Sequence, residues 1–305
     1  MTSLLTNSAA MVALATLNDI NMSLNKTNNR VSTGLRISQA SDSAAYWAIA
    51  TTTKSDNGAL ATVRDAVAIG KSTLDVTYAG LESVRESLQK MKELMVSARQ
   101  PGVDRTNVQT EITGLQTDMQ NVAGASVLNE QNFLEVDTTA GTYNATKAVV
   151  ASFERSATGI SISTIDLDIS SVILVDPGGT TGLLDKSRTV GGTTDSVINI
   201  DISALTDSAT DLTTLEESIA IVDAALIDVI TAQNLNGVNL ARAESQQTFL
   251  NALMDANERA VGALIDANME EESTKLRALQ TQQQLAVQSL GIANSAAQNV
   301  LYLFQ

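Results

Sequence analysis

The sequence predicts a mainly α-helical protein whose two termini form an elongated antiparallel helical bundle or coiled coil, with a small β-rich insertion in the middle. Three observations support this fold class. Apolar residues recur at alternating spacings of three and four near both ends of the chain. Only two prolines occur in 305 residues, so long helices can run without a break. Aromatic residues make up only 3% of the chain, and the small and straight-chain residues that replace them favour close helix packing.

The first predicted helix lies in the N-terminal thirty residues. Its apolar seam consists of Ala10, Ala13, Leu17, Ile20, Leu24, Thr27 and Val31. Gly34 follows the seam at the position where a left-handed residue commonly ends a helix. The stretch RISQASD then interrupts the repeat, and we expect Ser41 or Asp42 to cap the next helix.

A long second helix carries the clearest repeat in the chain. It ends at RQPGVD, residues 99–104, where proline and glycine predict a turn. Residues 108–126 resume the alternation, so a third helix is predicted to fold back antiparallel on the second. The seam of this outer bundle includes Leu74, Leu81, Val84, Leu88 and Met91.

The middle of the chain differs in charge and in period. Residues 129–235 hold sixteen acidic and four basic residues, whereas residues 1–128 hold eleven of each. The stretches GISISTIDLDISSVILV (159–175) and SVINIDISAL (196–205) alternate apolar with polar residues, and DPGGTTG and VGGTTD supply turn residues. A small strand-rich unit is therefore predicted over residues 130–205, with its acids and hydroxyls on a solvated face.

Helical periodicity returns near Leu212 and continues to the end of the chain. NLNG at 234–237 separates a first apolar stripe from a second long helical pattern. From Ala278 to Gln305 the chain has no Asp, Glu, Lys or Arg, although its net charge is −15. As one helix this tail would span roughly 42 Å, and a surface helix of that length normally exposes a charged face.

The N-terminus is the other charge-poor stretch, and Asp19 is its first charged residue. We therefore expect the two ends to pair as antiparallel helices. Two helices alone cannot bury all their sides, so the pattern fits either an ordinary intramolecular bundle or a surface that associates with other chains. A membrane-interfacial helix is disfavoured because the polar face lacks Lys and Arg.

Composition argues against several classes of function. The chain has no Cys and no His, which excludes thiol nucleophiles, disulfides, the usual zinc sites and Ser-His-Asp triads. The acidic balance argues against nucleic acid, and no apolar run is long enough for membrane insertion. Residues 1–18 lack the basic segment of a cleaved secretory signal.

The densest carboxylate groups give no sign of a cofactor, a metal or an active site. Asp166 and Asp168, and Glu270 to Glu272, lack the order of residues in a calcium loop and are interpreted as solvated faces. A carboxylate-dependent enzyme within the middle segment is the alternative from a different class. The absence of His, Cys and a recognisable acid pair counts against it.

Two motifs carry a resemblance to a known family. RVSTGLRISQASDSAAYWAIA (30–50) resembles the N-terminal signature of bacterial flagellins, and IDANMEEES (265–273) with ANSAAQNVLYLF (293–304) resembles their C-terminal motifs. Tyr46 and Trp47 replace a Gly-Leu pair of the usual pattern. Trp47 is interpreted as a packing anchor in preference to a specialised contact. The signature residues are Gly34, Leu35, Arg36, Ile37, Asp42, Ala44, Ala45 and Trp47.

The resemblance implies a structural subunit that self-assembles into the flagellar filament, and not an enzyme. It implies an inner helical domain of residues 1–40 with 268–305, an outer helical bundle of 41–129 with 206–267, and an outward-facing variable region at 130–205. A hook–filament junction protein shares the same terminal design and is the near alternative. The assembly residues of the inner domain would be Leu17, Ile20, Leu24, Leu279, Leu290, Ala297, Val300, Leu301 and Phe304.

The resemblance also implies partners and a location. The subunit would be guarded by an export chaperone, exported unfolded through the central channel by the type III export apparatus, and polymerised at the distal tip beneath a filament cap. The extracellular homopolymer would consist of this chain alone or mixed with paralogous flagellins, next to hook–filament junction proteins.

One segment is similar to the stretch that an innate immune receptor reads in some flagellins. This is LQKMKELMV (88–96), with Gln89, Lys90, Lys92, Glu93 and Leu94 as its contact positions. Lys90 and Lys92 replace two arginines, and lysine cannot reproduce a bidentate arginine contact. Recognition by that receptor is therefore disfavoured.

Overall fold

The computed structural model describes residues 7–156 and 159–302, with side chains described as far as Ser295. The described chain is helical at both ends and carries short strands in the middle, so the predicted fold class is confirmed. Its helices are α1 (Ser8–Thr33), α2 (Ala44–Ala98), α3 (Arg105–Ala125), α4 (Ala209–Ile265) and α5 (Met269–Tyr302). Its antiparallel two-stranded sheets are β1 (Val127–Leu128) with β2 (Gln131–Asn132), β3 (Thr146–Ser156) with β4 (Gly159–Asp168), and β5 (Arg188–Val190) with β6 (Thr193–Asp195).

The chain divides into two compact units. One contains the residues up to Gly58 and those from Met254 onward, and the other is Ala59–Leu253. Helices α1 and α5 belong to the first unit, and α3 with the three sheets belongs to the second.

Both ends of α1 have capping residues. The side-chain oxygen of Asn7 accepts a hydrogen bond from the Ala10 N–H at 3.1 Å, which satisfies a free donor of the first turn. Gly34 has a φ of 72°, and its N–H donates to the Arg30 carbonyl at 2.9 Å. Glycine adopts this left-handed conformation without a steric cost, so the predicted helix end at Gly34 is confirmed.

In the first unit, α1 and α5 pack as an antiparallel pair. The Asn7 side-chain amide donates to the Ala293 carbonyl at 2.9 Å, and the Gln283 amide donates to Asn21 at 2.7 Å. Residue numbers rise along α1 as those of their partners fall along α5. The predicted pairing of the two ends is therefore present in the fold.

In the second unit, α2 and α4 are also antiparallel. Arg99 pairs with Glu216 at 2.7 Å near one end, and Lys71 pairs with Glu244 at 3.5 Å nearer the other. The seam residues of α2 are almost fully buried, with no more than 4% of any side chain exposed: Leu74, Leu81, Val84, Leu88 and Met91. Burial of this apolar row stabilises the bundle by about 25 cal/mol for each Å² removed from water.

Helix α4 continues through NLNG at 234–237, where the sequence predicts a separation. Asn236 is only 2% exposed, and its side-chain amide donates to the Leu74 carbonyl at 2.9 Å. A Cβ at Gly237 would stand 3.9 Å from the ring of Tyr78, so the glycine faces the neighbouring helix. These residues favour turns in isolation, but their contacts with α2 hold them in the helix.

The β3–β4 hairpin follows the predicted change of phase. Ile160 and Ile162 are 58% and 59% exposed, whereas Ile165 and Leu167 on the other face are buried. Alternate residues of a strand point to opposite faces, so the phase change moves the apolar side chains from solvent to the core.

The stretch at 196–205 is not the strand that its alternation predicts. It forms a 3₁₀ helix at Val197–Asn199 and then an irregular segment. The side-chain amides of Gln109 and Gln116, both on α3, donate to the Ile200 carbonyl at 3.1 and 3.0 Å. These glutamines bind the backbone in the place of a neighbouring strand.

Within the described part of the chain, no helix is long and apolar enough to cross a membrane. The same residues contain no group of three or more acidic side chains placed to hold a metal ion.

Candidate functional site

The N-terminal signature forms a junction with the turn between α4 and α5. Leu35 makes an antiparallel backbone bridge with Asp266, and the Arg36 N–H donates to the Ile265 carbonyl at 2.7 Å. The Arg36 guanidinium also donates to the Leu264 carbonyl at 2.8 Å. Two motifs that are more than 200 residues apart in sequence are thus joined by hydrogen bonds in the first unit.

A small apolar core lies beneath this junction. It consists of the buried residues Ile37, Ala50, Val261 and Ile265, with Leu35 and Leu264 packed against them. Ile37 therefore has a packing role, and Arg36 fastens the backbone on the exposed side. The core fixes the start of α2 relative to the end of α4 within this unit.

Asp42 holds the signature loop. It does not make the predicted N-cap hydrogen bond to α2. Its carboxylate accepts the Ser38 N–H at 3.2 Å and lies 3.4 Å from Lys26 Nζ. The Ser38 hydrogen bond is the main cause that lowers the pKa of Asp42. Since the carboxylate bonds back along the chain, the first turn of α2 begins instead with the Ser43 carbonyl, which accepts the Trp47 N–H at 2.9 Å.

The remaining signature residues lie on the surface at the start of α2. Ala44 and Ala45 are exposed. Trp47 is 38% exposed and is not part of the core beneath the junction. Its neighbours Tyr46 and Ile49 are 49% and 53% exposed.

The predicted inner-domain residues meet along the α1–α5 pair. Leu17, Ile20 and Leu24 are half-buried on α1, and on α5 Leu279 is buried and Leu290 is half-buried. Ala297, Val300 and Leu301 lie on α5 beyond the described side chains, and Phe304 lies outside the described residues. The role of these residues in assembly stays a prediction.

The outer faces of the same pair carry large apolar side chains. Seven of them are between 52% and 69% exposed: Met11, Val12, Leu14, Met22, Leu285, Val287 and Ile292. Exposed apolar patches of this kind mark surfaces that bind other proteins or membranes. Hereafter these seven residues are called the outer apolar surface.

An ion pair joins α1 to α5 near the junction. Arg30 Nη1 lies 2.9 Å from Glu272 Oε1, and the two side chains are 22% and 9% exposed. The interpretation of Glu270 to Glu272 as a solvated face is therefore wrong for Glu272, because the α1–α5 contact buries it. Glu270 and Glu271 are exposed, and their N–H groups donate to the Asn268 side chain at the helix start.

Two acids of the middle region are also buried, contrary to the predicted solvated face. Asp176 is 2% exposed; burial disfavours its charge, but hydrogen bonds from Thr138 and Thr181 outweigh that effect and lower its pKa to about 2. Burial raises the pKa of Asp185, which accepts the Asp176 N–H at 2.6 Å and leaves its other carboxylate oxygen without a partner. Asp176 joins the loop at Thr138 to the loop at Thr181, and Asp185 binds the backbone of Asp176. The turn motif DPGGTTG, which begins at Asp176, is the sequence signal for these loops.

The receptor-like segment has an open face on α2. Three of its side chains, those of Gln89, Lys90 and Glu93, are exposed. Lys92 pairs with Asp223 of α4 at 2.5 Å, and Leu94 lines a groove with Leu115 of α3. The ion pair within the chain occupies Lys92, one of the two lysines that stand in place of arginine.

Comparisons with known proteins match both ends of the chain. Residues 4–139 match the bacterial flagellin N-terminal helical region, and residues 219–304 match the bacterial flagellin C-terminal helical region. Flagellin C of Rhizobium meliloti (strain 1021) is 39% identical, and Flagellin A of Rhizobium meliloti is 35% identical, each with full coverage of both chains. Flagellin of Brucella melitensis biotype 1 is 38% identical, again with full coverage of both.

A solved structure shares the fold. It is the structure of a putative flagellar hook-associated protein from Vibrio parahaemolyticus, 18% identical, with a TM-score of 0.54. The match covers 74% of this chain and 100% of that one.

Proposed function

The chain belongs to the bacterial flagellin family, whose members are structural subunits of the flagellar filament, and from that premise we propose that this subunit polymerises by burying its outer apolar surface against other copies of itself. The relatives that match over the whole chain are flagellins, which favours the filament over the hook–filament junction.

The observation that supports the proposal is the outer apolar surface on α1 and α5. Its seven side chains remain more than half exposed in the single chain, although the two helices already pack against each other. Removing this area from water would contribute about 25 cal/mol per Å². Large apolar side chains exposed together on two paired helices are expected of a surface that binds another protein.

The distribution of charge supports identical copies as the partners. The chain carries a net charge of −15, but no charged residue follows Arg277. Two unit charges 4 Å apart interact by about 4 kcal/mol near a protein surface, so like charges here would oppose close packing of identical helices. An uncharged face lets many copies of one acidic chain approach closely.

The three-part division of the chain belongs to the same proposal. Residues 1–40 with 268–305 would form the inner domain around the channel, 41–129 with 206–267 the outer bundle, and 130–205 the surface of the filament. The acidic charge of the middle region suits a surface in contact with water.

Export and capping complete the proposal. The chain would pass unfolded through the channel, with an export chaperone on its C-terminal helices, and add at the distal tip beneath the cap to a filament of one or several flagellins outside the cell. The absence of cysteine supports this route, because no disulfide has to form after export.

Seeded assembly tests the proposed role of the terminal helices. Purified chain is mixed with short filament seeds at moderate salt and followed by electron microscopy, beside a variant that ends at Arg277. We expect the full chain to elongate the seeds and the truncated chain to fail, while circular dichroism shows that its remaining helices are folded. Filaments of normal length from the truncated chain would contradict the proposal.

A further inference from the structure

Helix α1 exposes two methionines on one of its faces. Met11 and Met22 are 64% and 63% exposed. The second unit instead keeps three methionines fully buried: Met91, Met95 and Met119. We propose that Met11 and Met22 are oxidation sites, where a hydroperoxide converts the thioether into a sulfoxide and so prevents the outer apolar surface from binding. The inference rests on the proposed function and adds a chemical modification that regulates the same surface.

Helix geometry places the two thioethers on one stripe, away from the packed side of α1. The residues are eleven positions apart in sequence. At about 3.6 residues per turn they lie about 20° apart around the axis and about 16 Å apart along it. The half-buried side of the helix contains Leu17, Ile20 and Leu24, and it lies about 160° around the axis from the methionines. Both thioethers therefore reach solvent on the face opposite to the packed side.

Methionine is the only residue type through which sulfur in this chain can be oxidised. The chain has eight methionines and no cysteine, so no thiol competes for a hydroperoxide. The methionine sulfur attacks the terminal oxygen of the peroxide, and the S–O bond forms while the O–O bond breaks. Sulfur loses two electrons, and the transferred oxygen gives its proton to the leaving oxygen, which departs as water or an alcohol. Exposure to the oxidant selects Met11 and Met22 over the buried methionines.

A sulfoxide at these two positions opposes burial of the outer apolar surface. It replaces a flexible apolar group with a polar oxygen, which costs free energy to bury unless it finds a hydrogen-bond donor. Both side chains are already more than half exposed in the single chain, so oxidation leaves the packing of the monomer intact. Methionine sulfoxide reductases reverse the reaction, so the surface can be restored.

Mass spectrometry of peptides tests the choice of sites. Purified monomer is treated briefly with dilute hydrogen peroxide and digested, and the sulfoxide fraction of each methionine is measured. We expect Met11 and Met22 to be oxidised roughly tenfold faster than Met91, Met95 and Met119. Equal rates at the exposed and the buried positions would overturn the assignment.

Seeded assembly tests the consequence of oxidation. Peroxide treatment should raise the concentration needed for filament growth of the wild-type chain about tenfold, and a methionine sulfoxide reductase should restore the original value. The double variant Met11→Leu/Met22→Leu keeps its apolar surface and should grow normally after the same treatment. Met269→Leu is the matched control and should stay sensitive to peroxide, because Met269 is 43% exposed but lies outside the outer apolar surface.

The outcomes of this experiment separate the inference from the proposed function. Growth of the oxidised wild-type chain at the original concentration would overturn the inference, and so would a double variant that is as sensitive to peroxide as wild type. Both results leave the proposed function intact, because the untreated chain still assembles. Failure of the untreated chain to elongate seeds would overturn the proposed function and the effect of oxidation on it together.

Discussion

The ion pair between Arg30 and Glu272 allows a quantitative test of how the two terminal helices contribute to assembly. Its side chains are 22% and 9% exposed, and a single hydrogen bond of 2.9 Å joins them. Replacing Glu272 with Ala leaves the guanidinium partly buried without its partner. Breaking a fully buried pair costs about 3–5 kcal/mol. Because Arg30 keeps some access to water, we expect a loss of about 2 kcal/mol.

We expect this loss to appear in the equilibrium between monomer and filament. If α1 and α5 become fully ordered only when neighbouring copies cover them, the energy of their contacts is realised on assembly. A change of 1.4 kcal/mol corresponds to a factor of ten, so the critical concentration of Glu272→Ala should rise about 30-fold. It is measured as the protein left in solution after filaments are sedimented at equilibrium.

The adjacent glutamate provides the control for this measurement. Glu271 lies in the same first turn of α5 but is exposed. Its replacement by Ala removes the same charge from the helix start, which costs about 0.3–1 kcal/mol. If the critical concentration of Glu272→Ala lies within threefold of that of Glu271→Ala, the assignment of this energy to assembly is refuted.

Two further predictions concern the stability of the second unit. A Cβ at Gly80 would stand 2.4 Å from a methyl group of the fully buried Leu134, so Gly80→Ala should lower the free energy of unfolding by about 1–3 kcal/mol. Gly114→Ala on α3 has open space and should raise that free energy by about 0.5–1 kcal/mol; equal urea midpoints for the two variants would contradict the packing. Burial raises the pKa of Asp185, so the folded state binds this proton more tightly and loses the corresponding stability as pH rises through the folded pKa. Asp185→Asn should therefore gain stability relative to wild type as the pH rises above about 3.9, the ordinary pKa of Asp, and a difference in urea midpoint that stays constant through this rise would count against it.

Periodicity predicts most of the helices and the pairing of the two ends, and a capping glycine predicts the end of α1. The α2 seam, the helix end at Gly34 and the change of phase after Ile162 all depend on residues close in sequence, and each is found where it is predicted. Local propensity and local burial act in the same direction at these positions, so the pattern in the sequence is enough.

Contacts between distant residues account for what the sequence does not reveal. Asn236 belongs to a stretch that favours a turn, but its side-chain amide donates to the carbonyl of Leu74, which lies 162 residues away in sequence. Gln116 similarly donates to the carbonyl of Ile200, which is 84 residues away in sequence. This bond satisfies a backbone carbonyl that a neighbouring strand would otherwise bind. Glu272 lies in a run of three glutamates at the start of α5, which in sequence is typical of a solvated helix end, and only the fold brings Arg30 beside it. No local pattern encodes these partners.

The same limit applies to the candidate site. The motifs predict which residues matter at the junction, such as Arg36 and Asp42, but not what each one touches. Asp42 bonds back to Ser38, and Arg36 binds the end of α4. The Arg36 contact depends on two motifs that are 228 residues apart and meet only in the folded unit, whereas the Asp42–Ser38 bond lies within the N-terminal motif.

A reconstruction of the filament at side-chain resolution would show directly whether the terminal helices are buried in the polymer. We expect α1 and α5 to form the same antiparallel pair in every subunit, and Leu285, Val287 and Ile292 to be buried against neighbouring copies. A filament in which these side chains face solvent, or in which the two terminal helices are not paired, would contradict this expectation.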